Sequence, residues 1–149
     1  MTATLPALAF AGIGLMGLPM TRRLLAAGYP LTLWNRTSDK CASLLEQGAH
    51  RVENPAELCR DANVVMLCLA NTEVVREVVF GPGGIVEGAR PGQLLVDFSS
   101  LEPAATREMA AELEARTGMR WVDAPVSGGT PGAEAGTLAI MAGGREEDV

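Results

Sequence analysis

"LAFAGIGLMGLPM", residues 8–20, sets glycines at positions 12, 14 and 17 behind a short apolar run and ahead of the first charged residue, Arg22. The run "ALAFA" (7–11) reads as a buried strand, and the segment from Leu15 to Ala27 as a helix with Leu15, Leu18, Leu24 and Leu25 on one face and Gly28 as its terminator. In such a strand-turn-helix, Gly12 permits a tight turn, Gly14 withholds the Cβ that would obstruct a pyrophosphate, and Gly17 lets the helix pack closely. The helix N-terminus then offers unpaired amides and a positive dipole end to an anion, so the turn needs no charged side chain. A glycine triplet alone also fits a plain turn. A second strand ending about 20 residues further on turns the reading toward a dinucleotide site.

Working outward, the apolar runs "LTLW" (31–34), "VVMLCL" (64–69), "LLVDF" (94–98) and "RWV" (120–122) alternate with segments of helical spacing. Asn71 or Thr72 is placed to cap a helix carrying Val74, Val75, Val78 and Val79, and Pro103 suits the first turn of another that runs to Gly118. Runs that are apolar throughout belong to strands covered on both faces. The fold class is therefore α/β, a doubly wound and mainly parallel sheet with helices on each side. Ligands of such sheets sit beyond the carboxyl ends of the strands, here "GIGLMG", "NRT", "ANT", "SSLEP" and "DAPVSGG".

The 149 residues fit one domain, with 48% apolar residues and a net charge of −6. That charge argues against nucleic acid or an anionic membrane as partner, both of which call for an excess of Lys and Arg. The uncharged opening lacks a basic leader and is too broken by proline and glycine for a membrane span, so a cytoplasmic protein is expected. Cys41, Cys59 and Cys68 match neither a disulfide framework nor zinc-ligand spacing, and no metal is expected. Cys68 reads as a small core residue.

The second strand ends in "WNRTSDK" (34–40). An NAD site usually carries an acid there for the adenosine ribose; Asn35 stands in its place. Arg36 offers a permanently charged fork for a 2′-phosphate, and Thr37 a hydroxyl and an amide. These residues point to NADP, with NAD the less favoured cofactor. Read as structure alone, Asn35 is a turn residue and Arg36 a solvated charge.

"FAGIGLMGLPMTRRLLAAGYPLTLWNRT", "GARPGQLLVDFSSLEP" and "WVDAPVSGGTPGAEAGTLAIMAGG" together resemble the β-hydroxyacid dehydrogenase family, which includes 3-hydroxyisobutyrate dehydrogenases and the tartronate, glyoxylate and succinic semialdehyde reductases. Imine reductases share the glycine turn and "WNRT" but lack "DAPVSGG". The resemblance implies a Rossmann-like domain over residues 1–149 with NADP contacts at Gly12, Ile13, Gly14, Leu15, Met16, Gly17, Asn35, Arg36, Thr37, Leu69, Ala70, Val74 and Ser100. It implies that Ser127, Gly128 and Gly129 hold a small carboxylate-bearing substrate, and successive glycine amides do form anion-binding nests. A glycine-rich loop that merely turns the chain is the plainer reading. Ala70 departs from the proline of many relatives, and Ser100 from the more usual threonine.

Hydride transfer to a carbonyl requires a proton donor. The family takes it from a lysine on a long helix in a following helical domain, through which its members also associate, and the resemblance places that lysine beyond Val149. The sole lysine of the sequence, Lys40, lies at the adenosine end, and no residue of this chain is assigned as catalytic. The resemblance thus leads us to expect the truncated cofactor domain of a longer homo-oligomeric reductase, inactive alone. The alternative is a non-catalytic dinucleotide-binding or interaction module.

Overall fold

The computed structural model describes residues 4–149; residues 1–3 of the expected domain lie outside them. Six parallel strands form one sheet: β1 (Leu8–Ala11), β2 (Leu31–Trp34), β3 (His50–Arg51), β4 (Val64–Leu67), β5 (Leu94–Asp97) and β6 (Arg120–Asp123). Their spatial order is β3-β2-β1-β4-β5-β6, which reverses direction between β1 and β4. This is the order of a doubly wound dinucleotide-binding sheet, with its crevice at the reversal. Leu8 of β1 lies level with Leu31 of β2 and Val64 of β4, so the three strands end together at Ala11, Trp34 and Leu67.

Four helices cover the sheet: α1 (Gly17–Ala26), α2 (Ala42–Glu46), α3 (Thr72–Phe80) and α4 (Pro103–Thr117). Val75, Val78 and Val79 of α3 and Met109 and Leu113 of α4 bury against one face, in a cluster that includes Ala9 and Ala11 of β1. Leu8 and Phe10 of the same strand point into a second cluster, packed by Leu18, Leu24 and Leu25 of α1 and by Leu44 of α2. Cys68 packs against this second cluster, half-buried.

The helix ends follow local chemistry. Asn71 is the cap of α3, its Oδ1 accepting from the Val74 amide at 2.9 Å. Pro103 opens α4, and Gly118, at φ 81°, closes it. Helix α1 is shorter than its apolar spacing implies. It begins at Gly17, so Leu15 belongs to the turn and is 85% exposed instead of sharing the buried face.

Beyond β6 the chain makes a feature that its glycines conceal. A two-stranded hairpin pairs β7 (Val126–Ser127) with β8 (Ala139–Ile140), and between them Gly129–Ala135 forms a fifth helix, α5. Its breakers sit where a helix tolerates them: Pro131 lies in the first turn, and Gly136, at φ 71°, ends the helix. Arg23 of α1 donates from Nε to the Glu134 carbonyl at 3.1 Å, fastening the end of α5 to α1. No helix among the described residues is long and apolar enough to cross a membrane.

Candidate dinucleotide site

The glycine turn is built by three different constraints. Gly12 has φ 106°, and a Cβ there would lie 2.1 Å from the Cys68 carbonyl oxygen of the neighbouring strand. A Cβ on Gly17 would lie 1.8 Å from the Gly12 carbonyl oxygen and 3.4 Å from the Phe10 ring, so this glycine brings the helix against its own turn as much as against the sheet. A Cβ on Gly14 would meet nothing within 4 Å. The protein itself therefore requires Gly12 and Gly17, while the space over Gly14 is left open.

The amides of the turn divide in the same way. Gly12 donates to the Trp34 carbonyl, and Ile13, itself buried, donates to Asn35 Oδ1 at 2.9 Å. Those of Gly14, Leu15, Met16 and Gly17 have no acceptor among the described residues, and α1 has no acidic side chain in its first turn. Consecutive unpaired donors at a helix N-terminus are what a phosphate group requires.

Asn35 braces the site instead of facing it. While Oδ1 takes the Ile13 amide, Nδ2 donates to the Thr37 carbonyl at 2.9 Å, so one side chain ties the glycine turn to the loop after β2. Arg36 and Thr37 are exposed on that loop. Arg36 Nη2 lies 2.8 Å from Glu77 Oε2 on α3, a pairing that no sequence pattern signals. Lys40, on the 3₁₀ turn Ser38–Cys41, lines a cleft of about 460 Å³ together with Gly14, Leu15 and Arg22, and Thr130 of α5 closes its other side.

At the ends of β4 and β5 the buried hydroxyl is that of Ser99, which accepts from the Leu69 amide at 2.8 Å and so fixes the loop through Leu69 and Ala70. Ser100 is exposed and Ala70 with it; Val74 is half-buried at the start of α3. Ser99 in turn donates its amide to Asp97 Oδ1 at 2.9 Å. The other oxygen of Asp97 is buried without a partner among the described residues. Burial pushes this carboxyl up to about 6 against the lowering influence of Ser99, and Asp123, level with it on β6, raises it further. Burial likewise pushes the Cys68 thiol up to about 11, with Asp97 adding to the shift, which keeps it an unreactive thiol.

Ser127, Gly128 and Gly129 are all exposed at the head of α5, with Gly128 at φ 134° and Gly129 at φ 59°. Gly128, Gly129 and Thr130 donate their amides to no described residue. Thr130, which follows the "SGG" segment, lines the same cleft as Gly14, Leu15 and Lys40, while Arg36 pairs with Glu77 of α3. His50 lies exposed on the edge strand, paired with Thr32. Val149, the last described residue, is 65% exposed and lines no part of this cleft.

A turn of unpaired amides at the reversal of such a sheet, open above its middle glycine, defines a nicotinamide dinucleotide-binding domain. The model of the NAD binding domain of 6-phosphogluconate dehydrogenase matches residues 7–149, and the chain belongs to this family, which includes the 3-hydroxyisobutyrate dehydrogenases. It is 40% identical over 137 residues to 2-(hydroxymethyl)glutarate dehydrogenase of Eubacterium barkeri, covering 92% of this chain and 45% of that protein. It is 38% identical over 135 residues to the cytokine-like nuclear factor N-PAC of Xenopus tropicalis, covering 91% of this chain and 25% of that one. Among solved structures, Mycobacterium tuberculosis 3-hydroxyisobutyrate dehydrogenase with L-serine superposes with a TM-score of 0.89 at 34% identity, over 97% of this chain and 48% of its own. Psf3 in complex with NADP+ and 2-OPP gives 0.89 at 34%, over 95% and 50%. The chain spans less than half the length of these two curated relatives.

Proposed function

We propose that this domain binds NADP(H) for an oxidoreductase that moves a hydride between NADPH and a small semialdehyde, keto acid or β-hydroxyacid. The observation that carries the reading is the pairing of the free Gly14–Gly17 amides with a β2 end that has Arg36 and Thr37 in place of an acid. Gly14 to Gly17 would hold the pyrophosphate, and Arg36 and Thr37 the 2′-phosphate. Bound NADPH supplies the hydride. Asn35 sets the spacing between these two anion sites, because it bonds to both loops. The exposed amides of Gly128 and Gly129, with the Ser127 hydroxyl, would orient the substrate carboxylate. The NADP+ bound in the Psf3 structure supports the cofactor, and the names of the dehydrogenase relatives support the reaction class.

Titration of the chain with NADPH and NADH tests the cofactor. A charge-assisted hydrogen bond contributes roughly 1.5 to 3 kcal/mol. Arg36→Ala is therefore expected to weaken NADPH by about ten- to a hundredfold and to leave NADH nearly unchanged. Equal losses for both would remove Arg36 from the 2′-phosphate.

A second reading, a dinucleotide-binding module that does no chemistry, draws on the likeness to N-PAC, whose name is that of a nuclear factor and not of a dehydrogenase. Retention of a substrate-sized carboxylate nest favours the enzyme, since cofactor binding alone has no use for it.

A further inference from the structure

Arg36 and Glu77 lie 41 residues apart, yet Nη2 of one is 2.8 Å from Oε2 of the other. Arg36 follows β2 and Glu77 belongs to α3, which follows β4, while β1 lies between those two strands. The pair therefore reaches across the strand that ends in the glycine turn. Glu77 stands three positions beyond Val74, on the same helix face as the residue expected to approach the cofactor. Both side chains are 64% exposed, so the pair holds no core together, and exposed pairs of this kind contribute little to stability. Its chemistry is more telling. The guanidinium assigned to a phosphate already carries a carboxylate on one of its donors.

We infer that Glu77 is a resident counter-ion of Arg36 that the 2′-phosphate of NADP(H) must displace, and that it thereby sets both the affinity for NADP(H) and the margin over NAD(H). The inference rests on the assignment of Arg36 to the 2′-phosphate. A phosphate monoester carries between one and two negative charges near neutral pH. Seated on the Arg36 fork it meets the Glu77 carboxylate at close range, so the carboxylate has to swing into solvent or weaken the phosphate contact. NAD(H) brings no anion to that place and leaves the pair intact. Glu77 accordingly acts as a specificity-determining residue through Arg36, reducing discrimination between the two cofactors.

The test is a set of titrations of the chain with NADPH and with NADH at low salt. Glu77→Gln keeps the size and hydrogen-bonding capacity of the side chain and removes its charge. It is expected to tighten NADPH about three- to tenfold and to change NADH less than about twofold, and the gain should fade in about 0.5 M KCl. Glu73→Gln removes the same charge from the first turn of the same helix, where no described residue pairs with it, and should change NADPH less than about twofold. In an Arg36→Ala background, Glu77→Gln should have no effect on NADPH. If Arg36→Ala selectively weakens NADPH but Glu77→Gln leaves it unchanged or weaker, the counter-ion role is overturned while the NADP reading stands. Equal tightening of both cofactors, or an equal gain from Glu73→Gln, also overturns it. If Arg36→Ala weakens the two cofactors alike, the assignment of Arg36 and this inference fall together.

Discussion

At the scale of single residues, Gly12, Gly14 and Gly17 look interchangeable in the sequence and are not so in space. A side chain at Gly12 would occupy the position of the Cys68 carbonyl at a φ of 106°, and one at Gly17 would overlap the Gly12 carbonyl. Gly14 has room. Gly12→Ala and Gly17→Ala are expected to lower stability by several kcal/mol, a large part of the roughly 5 to 15 kcal/mol that holds a domain folded. Gly14→Ala should stay within about 1 kcal/mol of the parent and lose NADPH affinity more than about tenfold, since the open space is where the pyrophosphate would lie. Thermal melts beside NADPH titrations check both. A Gly14→Ala protein that binds NADPH normally would move the pyrophosphate elsewhere. The spacing of these glycines was legible in the sequence, as was the capping role of Asn71. The division of labour between Asn35, which braces, and Arg36, which pairs with Glu77 at the surface, was not. It depends on Ile13 and Thr37 lying within reach of one amide group, and only the fold sets that distance.

Among the elements, β5 and β6 end side by side with a carboxyl on each, Asp97 level with Asp123. Asp97 is fully buried, and burial pushes its carboxyl up to about 6 from an ordinary value of 3.8. Between those pH values the folded chain keeps a proton that the unfolded chain has released. Stability contributed by this group is therefore present at acid pH, is lost as pH rises through that window, and is level above it. Asp97→Asn removes the dependence while Oδ1 still accepts from Ser99. From pH 4 to pH 7, the stability of the parent is expected to fall by about 2 to 3 kcal/mol relative to that variant, as measured by denaturant unfolding at each pH. Parallel pH profiles would show that Asp97 stays ionised in the fold. The four-residue apolar strands and the helices α1, α3 and α4 could be read directly, because apolar runs and helical spacing each leave a pattern. Strand β3 could not: His50 and Arg51 are exposed, and only pairing with Thr32 and Leu33 makes them a strand. Helix α5 was hidden by Gly129, Pro131 and Gly132, and it owes its form to tertiary contacts, with Ala133 buried and Arg23 of α1 holding its last turn.

For the molecule as a whole, the glycine turn sits where the sheet order reverses, and the cleft beside it runs between that turn and α5. Reduction of a carbonyl there needs a proton donor beside the carbonyl oxygen. Lys40 follows the Arg36–Thr37 loop proposed for the 2′-phosphate, and Asp97 is sealed beneath the loops. The chain is therefore expected to bind NADPH and to leave it unoxidised in the presence of succinic semialdehyde or glyoxylate, with binding followed by fluorescence and oxidation by absorbance. A missing general acid alone typically lowers the rate 10² to 10⁴-fold. Steady oxidation at a rate typical of enzymes would show that a group among these residues donates the proton.

The central strand has a consequence for how the molecule comes apart. Along β1 the side chains of Leu8 and Phe10 belong to one hydrophobic cluster and those of Ala9 and Ala11 to the other. Four consecutive residues thus stitch two cores that share no helix. Neither layer can melt and leave its neighbour standing, because either event withdraws the backbone on which both rest. Loss of helical circular dichroism and the spectral shift of Trp34 and Trp121 should then coincide in one transition, the signature of a single cooperative unit.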